Sequence, residues 1–154
     1  MNTNVFYRVA CGPYRMDLSG KGAEMFGGRW NPVGVPAVYA ASSISLAMLE
    51  ILIHARSLPL DYFVMALSVP MEGVKSVRAP ALPAGWDRLN DQSASQQAGT
   101  RHVFQANRFG VLLPSVVVPE EQNLVLNPLH PLMRRVTVKE LRPLRPDPRL
   151  FPNP

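Results

Sequence analysis

The sequence predicts an α+β fold: a single compact domain with a mixed, short-stranded sheet core and flanking helices. Three observations carry that reading. Short runs of β-branched, aromatic and other apolar residues recur along the chain, most of them closed by glycine or proline. One segment, residues 43–56, instead shows a helical pattern behind a serine cap. Sixteen prolines spread over 154 residues favour short elements joined by long ordered loops. A chain of this length fits one domain, and a content of 47% hydrophobic and 18% charged residues is that of a globular protein.

The elements follow in order. Val5 to Val9 is a strand, bounded by Gly12 and Pro13. Residues 12–36, rich in glycine and proline, read as an ordered loop with one helical turn from Gly22 to Phe26. Ala37 to Ala41 is a short strand. Ser42 or Ser43 then caps a helix that runs to about Arg56 and is ended by Pro59. On that helix the apolar side chains cover most of the circumference, while Ser43, Ala47, Glu50 and His54 share one narrow strip. The pattern predicts a largely buried helix with a single polar seam and Glu50 in its middle. A carboxylate there needs a cationic or hydrogen-bonding partner, faces a wet cleft, or is an ordinary solvent-side glutamate. Tyr62 to Val69 is a strand closed by Pro70, and a second helix falls within Ser93 to Asn107. Val111 to Val118 is β-rich, Glu120 and Glu121 make a turn, and Leu124 to Leu126 is a further strand.

The net charge of +5 raises the question of nucleic-acid binding, and its location answers it. From residue 131 onward, Arg134, Arg135, Lys139, Arg142, Arg145 and Arg149 face only Glu140 and Asp147 in acidic company. The rest of the chain is close to neutral. Nucleic-acid binders carry a basic stripe on a folded element, often with aromatic stacking groups. Here the arginines sit among Pro143, Pro146, Pro148, Pro152 and Pro154, in a segment that can make neither a helix nor a central strand. Residues 134–154 therefore read as a solvated proline- and arginine-rich strap, with a basic interaction module as the non-enzymatic alternative. No apolar run approaches the roughly 20 residues that span a bilayer, and the first residues lack signal-peptide order, so a cytoplasmic protein without a membrane partner is expected. The single Cys11 forms no internal disulfide.

Several chemistries find no support. His54, His102 and His130 are scattered without metal-ligand spacing, so no metal is expected. There is no Gly-x-Ser-x-Gly elbow. The stretch from Gly20 to Gly28 lacks the Gly-Lys-Ser/Thr ending of a phosphate loop. What remains is Arg29, Tyr39 and Glu50 in successive elements, with Arg8 on the first strand. Arginine offers a rigid fork of donors to phosphate, and a carboxylate can stabilise positive charge on a ribose. Tyrosine adds a ring for stacking and a phenol for hydrogen bonding. Such a set suits an anionic, sugar-bearing ligand.

The order of motifs is more specific than any one of them. Tyr7-Arg8, Leu18-Ser-Gly-Lys-Gly-Ala, Gly27-Gly-Arg-Trp-Asn-Pro, Val38-Tyr-Ala-Ala-Ser-Ser and Leu49-Glu follow one another, and then Leu113-Pro-Ser, Asn123, Leu126-Asn-Pro-Leu-His-Pro and Asp147-Pro-Arg-Leu. This succession resembles the RES domain, named for an Arg, a Glu and a Ser that match Arg29, Glu50 and Ser115. One departure is conservative: Leu113-Pro114-Ser115 stands where Val-Pro-Ser is usual. The resemblance spans about residues 5 to 150 and implies an ADP-ribosyltransferase-like fold and the toxin of a type II toxin–antitoxin system. The implied activity is NAD consumption by cleavage of the nicotinamide–ribose bond, with NAD as substrate and no prosthetic group. Water, inorganic phosphate as co-substrate, or a protein side chain could each accept the ADP-ribosyl group. Within the family, transfer to protein has been associated with phosphoribosyl pyrophosphate synthetase as the target. Glu50 would stabilise the ribose cation, Tyr39 would stack on or shape the nicotinamide pocket, Arg8 and Arg29 would hold phosphates, and Ser115 would hydrogen-bond the ligand. Trp30 and Asn31 would fix the Arg29 loop, while Asn123, Asn127 and His130 read as structural. The implied partner is an Xre-type helix-turn-helix antitoxin covering the active site, with a homodimer inside the larger complex and no direct nucleic-acid contact by this chain.

Overall fold

Alternating aromatic and β-branched residues at the head of the chain form β1 (Thr3–Cys11), the strand that organises the sheet. The computed structural model describes residues 2–57 and 59–151. Beyond β1 come the short helix α1 (Lys21–Phe26), β2 (Val38–Ala41), α2 (Ile44–Leu52), β3 (Tyr62–Pro70) and β4 (Val74–Ser76). Helix α3 (Ser93–Gly99) then runs into a π-helical turn over Thr100–Phe104, followed by β5 (Gly110–Pro114), β6 (Gln122–Leu126) and β7 (Thr137–Pro143). The seven strands form one sheet in the order β4-β5-β6-β2-β1-β3-β7, antiparallel except for the parallel β4–β5 pair. This is the α+β architecture expected from the sequence.

Pairing is uneven, and that unevenness shapes the molecule. β1 and β3 stay in register along their whole length, from Thr3 opposite Pro70 to Cys11 opposite Tyr62. β1 and β2 meet in register only at Tyr7 and Ala41. The sheet therefore parts between β1 and β2, leaving two half-sheets joined at one seam. Three clusters of buried side chains fill the space around them. One is built on Phe6, Met65, Leu67 and Leu126, one on Trp30, Val103, Val111 and Val125 beside α3, and one on Val9, Ala41, Leu46 and Val64 beneath α2.

Helix α2 differs from its sequence expectation in two ways. Ser43 does cap it, its hydroxyl accepting from the Leu46 N–H at 3.1 Å. The helix stops at Leu52, with the next turn tightened by bonds from His54 N–H to Ile51 and from Ala55 N–H to Leu52. Beyond that point Ile53 is 54% exposed, so no packing surface supports a further turn. The helix is also not largely buried. Only Leu46 and Ala47 are fully covered, while Leu49 faces solvent. Ala47 and Glu50, on the strip read as a polar seam, also turn toward the sheet, Ala47 beside Leu46 in the core and Glu50 onto Ser115 and Asn123. Burying Leu46 contributes about 2 kcal/mol, Ala47, Ile44, Met48 and Ile51 add apolar contacts to the same cluster, and Glu50 adds polar ones.

The remaining differences are local. The β-rich stretch after Val111 leaves the sheet at Pro114, and residues 116–118 form a bend. β4, three residues long, carries too little alternation to be read from sequence. Part of the presumed solvated strap is β7, which pairs with β3 from Phe63 opposite Pro143 to Ser68 opposite Thr137. It lies at an edge, where Pro143 needs no outward hydrogen bond, and Leu144 after it is buried. Residues 152–154 of the strap lie outside the described residues. Among the described residues no helix is long and apolar enough to cross a membrane, and no group of three metal-binding side chains gathers.

Candidate active site

Glu50 and Ser115, far apart in sequence, meet at the edge of α2. The Ser115 hydroxyl donates to Glu50 Oε1 at 2.8 Å. The same oxygen accepts from Asn123 Nδ2 at 2.7 Å. Asn123 sits on β6 opposite Ala41 on one side and Leu113 on the other, so strands on both sides fix its position. Among the described residues nothing donates to Oε2 of Glu50, which is half-buried. The carboxylate thus has one oxygen locked to the sheet and one available.

Ser115 itself is fully buried. Its hydroxyl gives its one proton to Glu50 and accepts from Val117 N–H at 3.0 Å and Val118 N–H at 3.1 Å. One donation and two acceptances exhaust a hydroxyl. Ser115 thus reaches Glu50 directly, and its bonds within the chain fill its hydrogen-bonding capacity.

The Gly27–Asn31 loop forms a second assembly. Gly27 turns with φ of 70°, and Gly28 N–H bonds the Asn31 carbonyl at 2.9 Å. Trp30 and Asn31 are buried, as expected of residues that fix this loop. The Asn31 amide reaches the carbonyls of Ala23 and Val35, both at 2.8 Å. The Tyr39 hydroxyl accepts from Trp30 N–H at 3.0 Å and donates to Asn31 Oδ1 at 2.6 Å. Burial, the largest influence, pushes the Tyr39 phenol pKa well above its ordinary value, so it stays protonated. Its hydroxyl is committed to the loop.

Arg29 projects from that loop toward residues 86–88. Its Nη1 donates to the carbonyls of Arg88 at 2.6 Å and Trp86 at 3.3 Å. Trp86 stacks on Trp30 with centroids 5.9 Å apart and planes inclined by 20°. Nε and Nη2 of Arg29 have no partner among the described residues. Arg8 follows Tyr7 along β1, just where the half-sheets part, and its Nη1 reaches across the seam to the Tyr39 carbonyl at 3.3 Å. Its Nε is buried with no hydrogen-bond partner among the described residues. Desolvation lowers the Arg8 pKa, opposed by the nearby Asp17 and Cys11.

The structure thus joins Glu50 to Ser115, and Arg29 and Tyr39 to a common loop, and sets Arg8 at the seam bonded to Tyr39's backbone. Asn127 and His130 are structural, accepting from the N–H groups of Leu129 and Leu132. Asn123, which sequence reasoning grouped with them, differs in its partner: its amide donates to Glu50 rather than serving a turn. Its place directly before the apolar run Leu124–Leu126, on the alternating face away from Leu124, was the available signal.

The fold is thus an α+β domain with an arginine at the seam of its sheet and a glutamate anchored to its strands. The family model for the RES domain matches residues 5–149, and the chain belongs to that family. Over 157 aligned residues, 97% of this chain and 98% of the relative, it is 41% identical to a protein of Sphingobium sp. (strain YBL2) named Prs ADP-ribosylating toxin. A shorter match, 51% identical over 41 residues, covers 26% of this chain and 22% of the NAD(+) phosphorylase MbcT of Mycobacterium tuberculosis (strain ATCC 25618 / H37Rv). Among solved structures, the M. tuberculosis MbcT–MbcA toxin–antitoxin complex contains a similar chain, with a TM-score of 0.78 and 25% identity over 98% of this chain and 88% of that one.

Proposed function

We propose that this protein is the toxin of a toxin–antitoxin pair and consumes NAD by breaking the nicotinamide–ribose bond. The observation that carries the reading is Glu50, half-buried, with Oε1 held by Ser115 and Asn123 and Oε2 left for a ligand. When the C1′–N bond breaks, its electron pair leaves with nicotinamide as a neutral base. Positive charge then spreads over C1′ and the ring oxygen of the ribose. A fixed carboxylate that accepts a ribose hydroxyl at Oε2 stabilises that charge without having to reorient. An acceptor lone pair closes the bond at C1′: water, losing a proton, yields ADP-ribose, and phosphate yields the ADP-ribose phosphoester. The unpartnered donors of Arg8 and Arg29 suit the pyrophosphate of NAD or a free phosphate. Tyr39 acts by holding the loop that carries Arg29.

A second reading, transfer of ADP-ribose to a protein side chain, is favoured by the whole-length likeness to a toxin named for ADP-ribosylation. The partner in either case is an antitoxin, as in the similar solved complex. An Xre-type helix-turn-helix protein covering Glu50, with this chain as a homodimer, completes the picture in the cytoplasm.

The test is to incubate purified protein with NAD, with and without inorganic phosphate, and to weigh the products. Nicotinamide together with ADP-ribose or its phosphoester supports the first reading, and ADP-ribose attached to protein supports the second. Intact NAD in both mixtures, with protein substrates present, would sink both.

A further inference from the structure

We propose that Asn123 is a positioning residue, whose amide fixes the rotation of the Glu50 carboxylate so that Oε2 meets the ribose. The inference rests on the reading of Glu50 given above. The terminal torsion of a glutamate is broad, so a carboxylate at the end of a helix side chain has no preferred rotation of its own. Here the rotation is set from the sheet. Asn123 Nδ2 lies 2.7 Å and Ser115 Oγ 2.8 Å from the same oxygen, short distances that befit bonds to a charged acceptor. Two donors on Oε1 occupy both of its in-plane lone-pair directions, which leaves Oε2 for an incoming hydroxyl.

Both donors are themselves immobile. Ser115 cannot rotate, because Val117 and Val118 occupy its lone pairs. Asn123 is held in the ladder between β2 and β5. The helix that carries Glu50 is tied to the same segment at its other end, where the Ser43 hydroxyl donates to Glu121 Oε1 at 2.9 Å. Helix and strand thus form one rigid frame around the carboxylate, and Asn123 is its central donor. A bland alternative is that Asn123 only satisfies a half-buried charge and serves stability alone. The two accounts differ in what they say about rate.

The experiment compares steady-state NAD consumption, thermal stability and amide NMR in the wild type, Asn123→Ala, Asn123→Asp, Glu50→Ala and the double variant Glu50→Ala/Asn123→Ala. Loss of a hydrogen bond to a charged group predicts a kcat about 10- to 100-fold lower for Asn123→Ala, with KM little changed. Asn123→Asp keeps the shape but sets a second carboxylate against Oε1, so it falls at least as far and keeps the proposal testable should the alanine variant fold poorly. Because Asn123 acts through Glu50, the double variant is no slower than Glu50→Ala alone. The side-chain amide resonance of Asn123 also moves on Glu50→Ala. Parental kcat in a folded Asn123→Ala, or losses that multiply in the double variant, would overturn the proposal. Wild-type protein that leaves NAD intact refutes the NAD reading instead, and an amide resonance indifferent to Glu50→Ala then refutes the positioning as well.

Discussion

Removing one oxygen from Tyr39 tests whether its phenol holds the Arg29 loop. In the Tyr39→Phe variant the ring stays, and two bonds disappear: the one accepted from Trp30 N–H and the one given to Asn31 Oδ1. Trp30 is 1% exposed and Asn31 0%, so water does not readily replace the lost partner. Leaving a buried donor or acceptor unsatisfied costs about 1 to 3 kcal/mol per group. Asn31 keeps its amide bonds to Ala23 and Val35, which limits the loss at that end. The expected destabilisation is about 2 to 4 kcal/mol, and for a domain of this size that lowers Tm by roughly 5 to 15 °C. Thermal and urea denaturation followed by circular dichroism would measure it, with NAD consumption assayed well below the new midpoint. Activity should fall as the loop loosens. If stability stayed within about 0.5 kcal/mol of the parent while activity collapsed, the phenol would be a ligand contact and the reasoning wrong.

Other perturbations have equally definite outcomes. Arg29→Lys keeps the charge but loses the fork that spans the Trp86 and Arg88 carbonyls; activity should drop strongly and tryptophan fluorescence should shift red as Trp86 leaves Trp30, whereas parental values in both would demote Arg29. Gly99→Ala should fail to give soluble folded protein, because an added Cβ would overlap the Trp30 carbonyl. Gly22→Ala meets nothing within 4 Å and should stabilise α1 by roughly 0.5 to 1 kcal/mol; soluble yield reads the first and denaturation the second. His102 has a pKa below its ordinary 6.5, first through burial and then through Arg101 and Arg108. The unfolded chain therefore binds its proton more readily, so stability should decline as pH falls through 6.5 and level off below the folded value. A His102→Gln variant should flatten that part of a denaturation–pH profile.

Much of the molecule is legible in the sequence because local chemistry suffices. The serine before α2, the glycine-rich turn carrying Arg29, the Asn127-Pro turn and the strands around Tyr39, Val64 and Val125 each follow from cap, turn or alternation patterns. The ordered motifs also mark the family. Where sequence falls short, the missing information is non-local. The apolar surround of α2 suggests deep burial, yet Leu49 and Ile53 face solvent, since one side of the helix packs on the sheet and nothing among the described residues covers the other. Residues 137–143 look like a solvated strap because charge and proline dominate them, and only the free edge of β3 makes them a strand.

The chain alone determined that a glutamate, two arginines, a tyrosine and a late serine recur in the order of the RES family, since residue identity and spacing are written in one dimension. Which atoms meet was left to the tertiary structure. The bond from Ser115 to Glu50 closes 65 positions, and that from Asn123 closes 73. Pairing at such separations is set by sheet order and register, which emerge only when the whole core packs. That is why Asn123 reads in the sequence only as a structural residue, while the fold sets its amide against Glu50.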